Sequence, residues 1–486
     1  MRDSYSIGRP WRRNAAITVG PCYTPMMPRA DLTAEGLKVA IGFRSAVMLV
    51  MGGIVGVGIF VNPAVVAREL QSPALVMAAW ALGGVVALLG AFVYAELAAR
   101  IPATGGEYVY LRDTYGPLAG FLFGWTTLLV VQAGGMAAVA IVFAKNLDVL
   151  AGGGLSERWV VVAALAALAG INCLGVRSGN GAQTALGALK IAAIAAVVVA
   201  GLMLAPHAAS PRRAGPELAP GLDGLKAFGG AMVAVVFSYG GWQTANYVAG
   251  EMKSPRRNLA RALVVGVIAV IALYLLVNVA CLRALGVDAL GATLTPVSDV
   301  LERAVGDAGA RLAAAAIALS AIAFLSQAML TGPRVYFAMA RDGLFFRQVA
   351  RVGETTRAPA LAILLQAIWT GVLALTGGYE QILSYVIAMN FLFFGLNASC
   401  LFILRRRERA AEPPRKGGAS AMAGGFRAPW HPWTTGLFIL ACAAVVGASF
   451  WAFPIDSLIG YAIMALGVPP YLYWRRRASR EGAGPS

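Results

Sequence analysis

Lipid offers no hydrogen bonds, so a backbone that unwinds at membrane depth survives only where it lines a cavity inside the protein. This chain unwinds an apolar helix with glycines at two places. Met51-Gly52-Gly53-Ile54-Val55-Gly56-Val57-Gly58-Ile59-Phe60 interrupts the first long hydrophobic stretch, and Phe237-Ser238-Tyr239-Gly240-Gly241-Trp242 interrupts a later one. A pair of Gly-interrupted segments at corresponding positions of two halves points to a binding site at the membrane midplane. Each run alone also reads as a small-residue face for helix packing. For two breaks in repeat-related places that plainer reading has to hold twice.

The chain is all-α and polytopic. Of its 486 residues 59% are hydrophobic and 13% charged, which places it with membrane proteins rather than with strings of soluble domains. About twelve stretches are long and apolar enough to span, near 46–70, 74–98, 117–144, 158–176, 183–205, 226–250, 260–283, 311–339, 358–376, 380–404, 433–453 and 455–474. Spans 1–5 and 6–10 form two halves, each opening on a broken helix. An odd number of spans per half inverts the second relative to the first. Residues 1–44 read as a basic tail, without the short apolar core of a signal peptide. Residues 45–404 read as the core, in repeats of about 45–205 and 226–404. Residues 405–432 are a loop, 433–475 two further spans and 476–486 a tail.

The net charge of +17 is a topology signal. Arginines and lysines crowd the N-terminal tail, the loops after spans 6, 8 and 10, and the C-terminus. The intervening loops carry few. This asymmetry puts both termini in the cytoplasm of a cell membrane protein. No basic-aromatic module accompanies the charge, so nucleic acid is not an expected partner. The five cysteines are scattered and only two histidines exist, so neither a metal site nor a disulfide framework is expected. Without a Walker motif, ATP hydrolysis has no support, and nothing calls for a cofactor or for catalytic residues.

A break in the first span frees N–H groups on one half-helix and C=O groups on the other. Gly56 and Gly58 carry no Cβ, so a ligand can approach the main chain. Amides around Val57, Gly58 and Ile59 would face a carboxylate, aided by the half-helix dipole. Carbonyls at Ile54 and around Phe237, Ser238 and Gly240 would accept from an ammonium. Opposite poles so close suit a zwitterionic α-amino acid. Trp242 either lines the pocket or packs. Gln243 and Asn246 are further candidate contacts, Asn390 a weaker one, and Ser320, Ser326 and Gln327 in span 8 line the region or pack.

These motifs resemble those of the amino acid–polyamine–organocation superfamily. The run Gly53 to Val61 is similar to its first-helix motif, as are Tyr94-Ala95-Glu96-Leu97 and Pro102 to Tyr110. Phe237 to Trp242, followed by Gly250-Glu251-Met252-Lys253-Ser254-Pro255-Arg256-Arg257-Asn258-Leu259, is most similar to L-type amino acid transporters and their bacterial relatives. Pro333 to Gly343 fits as well. The resemblance runs from about residue 44 to 404. It implies the inverted five-plus-five fold and amino acid transport by alternating access. It further implies carboxylate binding by the amides of Val57 and Gly58, amine binding by the carbonyls of Ile54, Phe237 and Gly240, and Phe237 as an aromatic gate. This chain departs from the pattern at Val57, where relatives often carry a small hydroxyl residue; the amide contact survives the change.

Lys190 lies within span 5. An ionisable residue at such depth is a functional candidate by default, although a lysine near a span's start also snorkels to the surface. The resemblance places a lysine where sodium-driven relatives hold an ion, so transport would be Na⁺-independent, by proton symport or exchange. Glu96 and Glu107 read as structural partners of Arg100 or Arg112, and Glu251 as a partner of Lys253 or Arg257. The animal L-type relatives pair with a heavy chain through a cysteine after span 3. The loop from Lys145 to Arg158 has none, so no heavy-chain subunit is expected. A polyamine or cationic amino acid permease is the alternative. It calls for an acidic residue near the breaks, and none is evident in spans 1, 3, 6, 8 or 10. A membrane receptor or enzyme would need a polar cluster at one face.

Overall fold

The computed structural model describes residues 37–206, 221–376, 379–411, 425–452 and 454–481. Most of the expected N-terminal tail, the Pro-rich loop at 207–220 and much of the loop after span 10 lie outside the described residues. Within them the chain is helical and forms no strand. It is a polytopic all-α membrane protein. Eight helices are long and apolar enough to cross a bilayer, and a bent pair makes a ninth. Spans 4, 6 and 9 fall on helices of 17 residues, Glu157–Cys173, Leu222–Ser238 and Ala360–Thr376, at the short end of what a bilayer requires.

The first span is the bent pair, Phe43–Ile54 and Gly58–Leu70, turned by 43°. Its first half closes when the Val55 N–H bonds back to the Met51 carbonyl. The second span, Pro73–Arg100, starts on a proline at its first position, after Gln71 has turned left-handed. That proline has no N–H to leave orphaned. The sixth span ends its first half at Ser238 and resumes as a tight helix over Trp242–Glu251. The seventh, Pro255–Ala292, packs along the second. Gly90 in the second span makes room for the sixth, since a Cβ there would stand 2.7 Å from the Trp242 ring.

Charged residues join the loops at one end of the bundle. Glu96 is fully buried and accepts from Arg100, from Arg405 and from the Ala428 N–H. Glu251 and Arg334 form a buried two-point pair at 2.7 and 3.2 Å. Arg112 pairs with Asp342. The segment before the first span joins the same end, through Lys253 N–H to Ile41 O at 2.9 Å and Ala40 N–H to Glu251 O at 3.0 Å. At the other end Arg68 donates to Gly291 O and Arg303 to Ala284 O. The loops that meet at the first end are those expected to share one side from the charge pattern.

Two of the expected carboxylate pairings are corrected here. Glu251 pairs with Arg334, not with Lys253 or Arg257. Neighbours two apart do not face each other on a helix, and the left-handed turn at Ser254 starts a new helix in between. Glu107 does not meet Arg112 but two tyrosines and an asparagine. Glu96 does pair with Arg100, one helical turn away.

Candidate functional site

The two breaks face each other, backbone to backbone. A Cβ at Gly53 would stand 2.5 Å from the Gly241 carbonyl, and one at Gly241 would overlap the Gly53 carbonyl. Gly241 also holds φ at +105°, a region that favours glycine. Two chains approach this closely only where neither carries a side chain.

The carbonyls freed by the breaks are met by single polar side chains from other spans. Lys190 is fully buried, and its ammonium donates to Gly52 O at 3.0 Å and to Val55 O. It therefore ends at the break rather than at a membrane surface. Tyr274 on the seventh span donates to Ile54 O and Ser238 O, at 3.1 and 3.2 Å, bridging both breaks. Ser320 donates to Gly56 O at 3.1 Å. The second break is closed locally: Thr244 donates to Gly241 O, and the Gly241 N–H donates to the Gln243 side chain at 3.0 Å. Gly240 N–H donates to Phe237 O at 3.1 Å. Buried main-chain groups need such partners, and this set pins the unwound geometry.

On the other side of the first break stands the start of Gly58–Leu70, whose first-turn N–H groups have no intrahelical acceptor. Phe60 N–H turns back to Val57 O at 3.1 Å. Gly56, Gly58, Phe237 and Gly240 keep partial exposure among buried neighbours, while the side chains of Ile54, Val57 and Ile59 are buried. Asn62 stands one turn along and donates to Ser238 Oγ at 2.7 Å and Ala234 O at 3.0 Å, beside Gly58. An electropositive helix start and unwound carbonyls thus share one space.

The remaining candidates are turned inward. Trp242 is buried, with ring centres 4.8 Å from Tyr94 and 5.5 Å from Phe394. It also lines a small apolar pocket with Gly240 and Val236. Gln243 folds back on Gly241, and Asn246 bonds Gln243 O and accepts from Tyr110. Gln327 donates to Thr244 Oγ1 at 2.7 Å, and Asn390 is half-buried. Sequence reasoning missed Tyr274 and Asn62. Their signal is a lone hydrogen-bonding residue inside an apolar run. Among the described residues no cluster of His, Cys, Asp or Glu could hold a metal ion.

A family model described as amino acid permease matches residues 41–468. The chain is 29% identical to the mouse large neutral amino acids transporter small subunit 2, over 93% of this chain and 85% of that one. It is 30% identical to the serine/threonine exchanger SteT of Bacillus subtilis (strain 168), over 91% and 98%. It is 28% identical to the human b(0,+)-type amino acid transporter 1, over 78% and 79%.

One expectation is corrected by these relatives. The mouse protein is named a small subunit, one part of an assembly, so the expectation of a chain without a heavy-chain subunit does not stand. The missing cysteine in the loop after span 3 argues only against a disulfide; it says nothing of a noncovalent contact.

Proposed function

The chain belongs to the amino acid permease family, and from that premise we propose that it carries neutral α-amino acids across the cell membrane by alternating access. The observation that supports this most is the pair of facing breaks. The amides at the start of Gly58–Leu70 take the substrate carboxylate, and the carbonyls around Ile54, Phe237 and Gly240 take its ammonium. Binding through the main chain reads the α-amino acid group that all such substrates share. Phe237, partly exposed at the second break, serves as the aromatic gate. The arginine-rich end of the bundle faces the cytoplasm, with both termini. The names of the relatives favour neutral substrates, and among the described residues no acidic side chain bonds to the breaks to favour a second positive charge.

Lys190 takes the place of a driving sodium ion. Its ammonium already spans the Gly52 and Val55 carbonyls, which are ligands of the kind a hard cation would use. Uptake is therefore Na⁺-independent and runs as proton symport or as exchange. The test is uptake of a labelled amino acid panel into proteoliposomes, with and without a pH gradient and with Na⁺ replaced by choline. Equal rates in the two salts are expected; a strict Na⁺ requirement would remove Lys190 from this role.

Gly58→Leu probes the carboxylate pole. Its Cβ would lie 3.0 Å from Ser238 Oγ and 3.3 Å from Asn62 Nδ2, and the rest of the side chain would fill the space the substrate needs. Uptake should fall at least about tenfold, the effect of losing one charge-assisted contact, with thermal stability close to that of the wild type. Near-normal uptake would take the first span out of the site.

A further inference from the structure

The turn Ala103-Thr104-Gly105-Gly106 docks main chain to main chain on the second half of the broken sixth span. Gly105 N–H donates to Tyr247 O at 2.9 Å, and a Cβ on Gly106 would stand 2.9 Å from Asn246. Glu107 follows this turn at the head of a short helix, Glu107–Tyr115, and is 1% exposed. Tyr94 of the second span donates to its Oε1 at 2.6 Å, and Asn397 of the tenth donates to the same oxygen at 3.3 Å. Tyr247 of the sixth donates to Oε2 at 2.8 Å. These donors are two phenols and an amide, none of them a cation. A buried carboxylate held without a positive partner is poorly compensated, unlike Glu96 and Glu251 at the same end.

The other ionisable groups around this point are accounted for. Tyr110 lies on its own helix and donates to Asn246. Arg112 and Tyr108 are engaged by Asp342, and Arg334 by Glu251. Arg405, further along the tenth span, is engaged by Glu96. Tyr336 is buried behind Tyr247, and Cys442 lies near Tyr94.

We propose that Glu107 is a proton-binding residue that latches the Trp242–Glu251 segment. This rests on the transporter reading only in identifying the segment as the cytoplasmic gate. Ionised, the carboxylate accepts from Tyr94, Asn397 and Tyr247 together and ties three spans. A proton arriving from the cytoplasm on Oε2 turns the bond round, so that the carboxyl donates to the Tyr247 hydroxyl; the tie falls from a charge-assisted bond to a weaker one between neutral groups, beside the Gly105–Tyr247 main-chain bond. Burial supports this by raising the carboxyl from the usual range to about 7, against the two tyrosine hydrogen bonds that lower it. Acid on the cytoplasmic side opens the gate, and alkali closes it.

Hydrogen exchange across residues 242–251 of the full chain tests this without any substrate. In the wild type, protection corrected for intrinsic rate should fall about tenfold from pH 8 to pH 6, the worth of one hydrogen bond to a charged group. Glu107→Gln, permanently neutral, should show the low protection at both values. Tyr247→Phe removes the tie itself and should show the low protection at both pH values; it carries the test if Glu107→Gln does not fold. The wild-type pH step in either variant overturns the latch. Uptake of amino acids with no step overturns the latch alone. A clear step with no uptake of any amino acid overturns the transporter reading alone.

Discussion

Gly241→Ala is expected to abolish transport and to lower thermal stability by several degrees. Two costs add at this position. A residue with a Cβ in the left-handed region costs roughly 1–2 kcal/mol, and Gly241 holds φ at +105°. The new methyl would also overlap the Gly53 carbonyl, which is main chain and cannot rotate away. Relief requires the two breaks to move apart. That separation would stretch the Tyr274 bridge from Ile54 O to Ser238 O. Gly229→Ala is the control: it sits in the same span, in Leu222–Ser238, and a Cβ there meets nothing within 4 Å. Its uptake should match the wild type. Full activity in Gly241→Ala would mean that the contact between breaks does not set the working geometry.

The breaks themselves were legible because two glycine runs fall at repeat-related places; one run alone reads equally as a small-residue packing face. The spans were legible because their length and hydropathy are local properties. What satisfies the breaks was not. Lys190, Tyr274 and Ser320 lie far along the chain from the carbonyls they meet, and only the packed bundle decides which carbonyl each one reaches. Lys190 was noticed because a charge at depth is conspicuous. Tyr274 was not, since a tyrosine in an apolar run also packs as an aromatic.

The carboxylates show a second limit. Glu107 and Arg112 are five apart, which on a helix turns them about 140° from each other. Sequence proximity suggested a pair where helical geometry forbids one. Glu96 and Arg100, four apart, share a face and do pair. Applying the helical period to charged neighbours would have separated these cases. Arg334 as the partner of Glu251 had no such local signal.

Lys190→Ala should reduce transport on the order of a hundredfold, because the lysine is one of three side chains that meet the carbonyls of the first break and the only one of them that reaches both Gly52 O and Val55 O among the described residues. Removing the ammonium leaves the Gly52 and Val55 carbonyls without their side-chain donor. An unpaired buried acceptor costs about 1–3 kcal/mol. The chain can recover that cost by rewinding toward a continuous helix, which would bury the N–H groups at Gly58 in intrahelical bonds and close the carboxylate pole. Tyr274 and Ser320 would still hold Ile54 O and Gly56 O, so the protein should fold. Lys190→Met separates the causes: it restores most of the buried stem but no donor. If the donor matters, methionine should transport as poorly as alanine. Wild-type uptake by Lys190→Met with loss in Lys190→Ala would reduce the lysine to a space-filling stem; full activity in both would leave the break held by Tyr274 and Ser320 alone.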